Sequence, residues 1–320
     1  MATNKKALKI AFAGAGGVGA YFGAKLCRAG GAVQMIARGA HAEAMARDGV
    51  SVTENGIRWN ARAEIIDGER GEELRRLSDC DWIIFTCKTH QTRVFANSLK
   101  PYIDADTHIA SLQNGVDNPS ILQDIFERKI AGGLSIQFAS HIVSPGSLAV
   151  TGKGYINLGE WPTGNSLRLQ SLVEHMYAAG IDCRQSADIR SELWRKLIIN
   201  NGVNPVTALL GQDSGTVLAD PETRAVVIDL MDETIRAAST DGVKIDENDR
   251  ATLLDIIDNL EPIKSSMQVD IEKGKEPELE GICGAVLERA EAIDGPSAAP
   301  VTRTLQRLLT TVSRQRQIQN

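Results

Sequence analysis

Lys196, Asn200 and Asn204 stand four residues apart in the stretch "LWRKLIINNGVNPVTAL", Leu193 to Leu209. The stretch reads as a helix, and residues at i and i+4 are neighbours on a helix surface. The three polar residues therefore form one stripe, while Leu197, Ile198 and Val203 give the other side an apolar face. Asn is a mediocre helix former, so two of them on one stripe call for a reason. A lysine beside a carbonyl oxygen that is becoming negative can stabilise the charge and deliver a proton. That requires burial to pull its pKa from about 10.4 towards neutrality. Amides on the next turns can hold further oxygens without adding charge. The competing reading is a helix end, because Pro205 disfavours helical geometry at Asn204.

A source of hydride for such a carbonyl is written at the other end of the chain. Gly14-Ala15-Gly16-Gly17-Val18-Gly19 follows the strand-like "KIAFA" and opens a helical pattern. In that context Gly14 serves the turn, Gly16 the close approach of a pyrophosphate, and Gly19 helix–strand packing, with the pyrophosphate on the helix N-terminus. The alternative is a merely Gly-rich turn. The second strand-like run, Ala32 to Ala37, ends in Ala37-Arg38-Gly39, with no acid until Glu43. NAD sites usually place Asp or Glu there, whereas Arg38 can meet a 2′-phosphate with a charge-assisted fork. The expected cofactor is NADPH; a solvated surface arginine is the other reading. Lys88 and Asn114 follow the strand-like runs Asp81–Cys87 and His108–Leu112. Carboxyl ends of parallel strands are where open α/β sheets bind ligands. Singly, they read equally well as a solvated loop lysine and an ordinary Asn-Gly turn. Ser266, before "MQVDIEKG", reads first as a helix N-cap, and Glu278, after Pro277, as a carboxylate complementing a helix dipole.

These residues need a scaffold, and the pattern of the first half supplies one. Short apolar runs alternate with amphipathic ones in a βαβα rhythm, which predicts a parallel sheet covered by helices. From about Gly132 to Leu158 the texture is β-like and Gly-rich, predicting added strands that extend this sheet. After Ser186 the chain reads as helices: Glu192–Leu210, Pro221–Gly242, Glu247–Leu260, Ser266–Lys273, Pro277–Ile293 and Pro300–Ser313. The expected fold is α/β: an N-terminal Rossmann-type NADP-binding domain, residues 1–187, followed by an all-helical substrate domain, residues 188–320. The stripe would then face the nicotinamide across an interdomain cleft. The 320 residues suffice for two domains, and the net charge of -6 argues against generic nucleic-acid binding. No run reaches the ~18 apolar residues of a membrane span, and the start "MATNKKALKI" carries no signal-peptide pattern, so a cytoplasmic protein is expected. Five scattered cysteines without a CxxC pair, and five histidines without ligand spacing, suggest neither disulfides nor a metal site.

Assembled, these residues resemble the ketopantoate reductase (2-dehydropantoate 2-reductase) family over nearly the whole chain. The resemblance runs through "KIAFAGAGGVGAYFGAKL", "CKTHQT", "LQNGVDN", "SPGSLAVTGKGYINLGE", the Lys196 helix and "SSMQVDIEKGKEPELEGICGAV". It implies NADPH-dependent reduction of the 2-keto group of ketopantoate to pantoate. It implies Lys196 as proton donor, Asn200, Asn204 and Ser266 as substrate-binding residues, and Glu278 near Lys196 and the cofactor. Asn114 would bridge nicotinamide and substrate, while Lys88 and Ala139 would line the cofactor. One departure is Ser214, where the family can carry a substrate-binding asparagine; it bears on which 2-keto acid is used. The β-hydroxyacid dehydrogenases share a Lys-x-x-x-Asn helix but leave Asn204, Ser266 and Glu278 unexplained. A non-catalytic NADPH sensor would have no need of Lys196. A homodimer through the helical domain is compatible with the pattern and not required by it.

Overall fold

The protein is described here from a computed structural model, which covers residues 8–152 and 154–319. The polar start, residues 1–7, and Lys153 of "TGKGY" lie outside the described residues. The chain divides into two compact units, one running up to Gln113 and from Asn118 to Ile189, the other comprising Asn114–Asp117 and Arg190 onward.

The first unit is built on a sheet. In chain order it holds β1 (Lys9–Ala13), α1 (Gly17–Arg28), β2 (Ala32–Ala37), α2 (Gly39–Asp48), β3 (Val50–Glu54), β4 (Ile57–Ala61) and β5 (Glu64–Asp67). There follow α3 (Gly71–Leu74), β6 (Trp82–Phe85), α4 (Thr92–Leu99), β7 (His108–Ser111), α5 (Asn118–Phe126), β8 (Ile130–Ile136) and β9 (Ala139–Ser144). The unit closes with β10 (Ser147–Thr151), β11 (Tyr155–Glu160), α6 (Leu167–Ala178) and β12 (Cys183–Ser186). Eight strands form the main sheet in the order β12-β11-β8-β7-β6-β1-β2-β5. From β8 to β5 neighbours run parallel, while β11 pairs antiparallel with β8. Strand residues alternate faces, and β1 shows both faces covered. Ile10 and Phe12 join one apolar cluster with Phe22 and Leu26 of α1, while Ala11 and Ala13 join another with Ile83 and Phe85. This is why β1 reads as a continuous apolar run, as buried parallel strands do.

The stretch from Gly132 to Leu158 departs from expectation. β8 and β11 extend the main sheet, but β9 and β10 do not. They pair with β3 and β4 in a separate four-stranded sheet, ordered β4-β3-β10-β9. A strand's sequence records how well it fits a pleated, half-buried surface, not which sheet it joins.

The second unit is helical: α7 (Ile189–Leu210), α8 (Ser214–Ala219), α9 (Pro221–Ala238), α10 (Glu247–Asp258), α11 (Ser266–Glu272), α12 (Ala285–Asp294) and α13 (Pro300–Gln319). Their starts follow capping rules. The Asp220 carboxylate accepts from the N–H groups of Glu222 and Thr223, with Pro221 in the first turn, and Asp246 and Asp249 form a capping box. The core joins Ile198, Val203 and Val206 of α7 to Val227, Leu230 and Met231 of α9. The helix does not end at Asn204: α7 carries Pro205 inside it and continues to Leu210. Gly202 lets α9 approach, since a Cβ there would lie 2.7 Å from Met231 Cγ. Burial of Val203, Val206 and Ala208 offsets the cost of the proline. A π-helical turn, Glu280–Gly284, leads into α12. Among the described residues no helix is long and apolar enough to cross a membrane.

Candidate active site

The candidate residues form two constellations, one in each unit. In the sheet unit, Gly14 to Gly19 link β1 to α1, and the glycines serve different ends. Gly14 has φ +109°, and a Cβ there would come within 2.7 Å of Cys87 N. A Cβ on Gly19 would come within 2.4 Å of both Gly14 O and Thr86 Oγ1, and Thr86 Oγ1 donates to Gly14 O at 2.6 Å. A Cβ on Gly16 would meet nothing within 4 Å. So Gly14 and Gly19 let backbone pack on the end of β6, while Gly16 faces open space. Gly16 caps α1 without a side chain and no acid stands in its first turn, leaving N–H groups and positive dipole for an anion. The residues present thus fit a dinucleotide pyrophosphate.

The chain reverses its sheet order at β1, which lies between β2 and β6. This is the switch point at which such sheets bind nucleotides. Lys88, half-buried just past β6, flanks the glycine loop through Cys87. Gln113 Nε2 donates to Cys87 O at 2.9 Å and to Thr92 Oγ1 at 2.7 Å, tying down that corner. Arg38 is exposed at the end of β2 as the cap residue of α2. Ala139 opens β9, and its neighbour Ser140 donates from Oγ to Gly17 O at 2.9 Å.

The helical unit holds the lysine. Lys196 Nζ donates to Asn114 Oδ1 at 3.0 Å, and Asn114 Nδ2 donates to Glu278 Oε2 at 3.0 Å. The charges at either end set the amide's orientation, since a flip would place its NH₂ against the ammonium. Glu278 is buried. Burial pushes the Lys196 ammonium down to about 8, against the opposing pull of the Glu278 carboxylate. An amine with that proton affinity exchanges a proton near neutral pH. Asn200 and Asn204 lie on the same face of α7, half-buried. Among the described residues no hydrogen bond engages their side-chain amides. Asn201, one residue away, is buried and spends its amide on Thr234 and Thr302. The helix thus divides its asparagines between structure and an open face.

Of the two serines at the start of α11, Ser265 is the N-cap and Ser266 the first helical residue. Ser265 is buried, receives Gln268 N, and accepts from Thr207 Oγ1 of α7 at 2.7 Å. Ser266 is exposed; Thr207 Oγ1 also lies 3.0 Å from Asn204 O, so its neighbour Ser265 is tied to the turn of α7 that carries Asn204. Ser214 turns inward: its buried hydroxyl donates to Glu261 O at 2.8 Å and accepts from Ile263 N at 3.0 Å. Sequence reasoning missed the supports. Thr207 seats α11, and Ser140 and His41 brace the glycine loop, with His41 Nε2 on Ala15 O and Gly146 N on its Nδ1. None belongs to a short motif, so no local signal marks them.

Residues 10–163 match the family described as "Ketopantoate reductase PanE/ApbA", and residues 188–313 match its C-terminal counterpart. The chain belongs to this family. It is an oxidoreductase of the family's α/β-plus-helical architecture. A 2-dehydropantoate 2-reductase of Pyrococcus horikoshii is 28% identical to it, covering 90% of this chain and 92% of its own. A solved 2-dehydropantoate 2-reductase from Geobacter metallireducens is 29% identical, with TM-score 0.85, covering 95% of this chain and 99% of that one. A PanE/ApbA family ketopantoate reductase structure from Ralstonia eutropha is 26% identical with TM-score 0.86, covering 97% and 100%.

Proposed function

We propose that this protein reduces the 2-keto group of ketopantoate to the secondary alcohol of pantoate, using NADPH, in the cytoplasm. The observation that carries the reading is the Lys196–Asn114–Glu278 chain, with a lysine whose proton affinity has been brought near neutrality. NADPH, when bound, supplies a hydride to the carbonyl carbon. Gly14 to Gly19, with the N-terminus of α1, would hold its pyrophosphate, Arg38 its 2′-phosphate, and Lys88 and Ala139 would flank it. The substrate oxygen that gains charge takes a proton from Lys196 Nζ, so that the lysine ends neutral and is reprotonated from solvent. Asn114 orients that ammonium and presents the Glu278 carboxylate at its other side. Asn200, Asn204 and the exposed Ser266 supply uncharged donors to the carboxylate and hydroxyl oxygens of a small 2-keto acid. The free cysteines, with thiols at Cys27, Cys80, Cys183 and Cys283 pushed up by burial, fit a reducing compartment.

The experiment is the rate of NADPH oxidation with ketopantoate against a panel of other 2-keto and 3-keto acids. Ketopantoate is expected to give the highest kcat/KM. Turnover of 3-keto acids alone would replace this reading with a β-hydroxyacid-dehydrogenase-like one, and NADPH binding without any turnover would leave a sensor. Lys196→Ala is expected to keep NADPH affinity within about twofold and to lose roughly 10²–10⁴ in kcat; near-wild-type turnover would remove Lys196 from the role.

A further inference from the structure

Beyond the residues that meet substrate or cofactor, the helical unit carries a second charged cluster. Arg289 of α12 donates from Nη2 to Asp117 Oδ1 at 2.6 Å and from Nε to Asp241 Oδ2 at 2.8 Å. Its guanidinium lies 5.2 Å from the ring centroid of Trp194, and Trp194 Nε1 donates to Asp241 Oδ2 at 3.0 Å. The arginine side chain is only 17% exposed. Two of these partners, Trp194 and Asp117, sit on segments that also carry a candidate active-site group, and so does Arg289 itself. Trp194 is two residues before Lys196 on α7, Asp117 is three residues after Asn114, and α12 continues the π-helical turn that begins just after Glu278. Gly115, with φ +86°, brings its segment onto that turn, since a Cβ there would lie 2.6 Å from Gly281 O. Segment 114–117 is thus held at one end by Lys196 and Glu278 and at the other by Arg289.

We propose that Arg289 is a positioning residue which, through Asp117, holds Asn114 between Lys196 and Glu278. A planar fork suits this task because it fixes two carboxylates in defined directions at once, which the compact ammonium of lysine does not. The inference rests on the reading that Lys196 is the proton donor, but its test does not need the substrate. A lysine amine is acylated only when unprotonated, so the pH of half-maximal acylation of Lys196, read by peptide mass spectrometry on the full-length protein, reports its proton affinity directly.

In the wild type the midpoint is expected near pH 8. In Arg289→Lys and in Asp117→Ala, loss of the fixed Asn114 admits water, relieves the desolvation of Lys196, and moves the midpoint upward by half a pH unit or more. The charged group acting on Lys196 in this test is Glu278 across Asn114; Arg195, the neighbour of Lys196 on α7, is paired with Asp249. Arg250→Lys, which weakens a fork to Asp232 elsewhere in the same unit, is the control for general loosening and is expected to leave the midpoint in place. With ketopantoate, Arg289→Lys is expected to lower kcat roughly ten- to a hundredfold, with the NADPH dissociation constant within twofold. An unchanged midpoint in folded Asp117→Ala or Arg289→Lys would overturn the proposal, as would an equal shift in Arg250→Lys. Failure of ketopantoate turnover with the midpoints shifted as expected would count against the substrate and not against Arg289.

Discussion

Lys196 shows that a residue's place on a helix face can be read from the sequence while its proton affinity cannot. The four-residue spacing of Lys196, Asn200 and Asn204 identified the stripe because helix geometry is regular. The opposing effects of burial and Glu278 on the ammonium depend on a partner 82 residues away, and here burial prevails. That has a thermodynamic consequence. Between about pH 8 and 10.5 the unfolded chain holds the Lys196 proton and the folded chain does not, so stability rises with pH through that window. The stability of the wild type relative to Lys196→Met is therefore expected to improve by up to about 1.4 kcal/mol per pH unit there. Paired urea denaturations at three pH values measure it, and a difference that is flat or falls with pH would show that the lysine keeps an ordinary proton affinity. Ser214 teaches the converse lesson. Its place in the sequence suggested a shortened substrate contact, but both hydrogen-bonding capacities of its hydroxyl are spent on Glu261 and Ile263.

At the scale of elements, the strand–glycine–helix unit was legible because three constraints coincide in six residues, and the structure separates them. Gly14 and Gly19 are required by neighbouring backbone and Thr86, while Gly16 has open space before it. Two alanine substitutions with similar chemistry should therefore fail in different ways. Gly14→Ala forces a Cβ into the Cys87 backbone just past β6 at a positive φ and is expected to destabilise by roughly 1–3 kcal/mol, seen as a lowered thermal midpoint without any ligand. Gly16→Ala is expected to leave that midpoint within about a degree while weakening NADPH binding at least tenfold, the cost of placing a methyl where the proposed pyrophosphate would lie. If Gly16→Ala binds NADPH normally, the loop does not hold the pyrophosphate as proposed. Less was legible where pairing is long-range. β3, β4, β9 and β10 form their own sheet from segments some 90 residues apart, and nothing local distinguishes such strands from those that extend the main sheet. Likewise the π-helical turn at Glu280–Gly284 was read as the opening of an ordinary helix from Pro277, although it is what Gly115 packs against.

For the molecule as a whole, the chain passes between its two units three times, at 113/114, 117/118 and 189/190. The composition shift near Ser186 lies close to the last of these. The first two are hidden, because a four-residue segment between a strand and a helix has no composition of its own; only Asn114 and Asp117, bonded within the helical unit, disclose them. Cofactor binding can be followed at this scale without any assumption about the substrate. A ligand that binds only the folded protein stabilises it by about 2.7 kcal/mol when present at a hundred times its dissociation constant. With the glycine loop and Arg38 both engaged, NADPH is expected to raise the thermal midpoint more than NADH at equal concentration, matching a preference of roughly tenfold or more from a charge-assisted contact to the 2′-phosphate. Arg38→Ala should bring the two midpoint shifts together by diminishing the NADPH shift alone, whereas Lys196→Ala should leave both as they are. Equal shifts in the wild type would mean that the protein takes NADH and NADPH alike, and that the exposed Arg38 does not reach the 2′-phosphate despite standing at the strand end where the ribose-binding acid is missing.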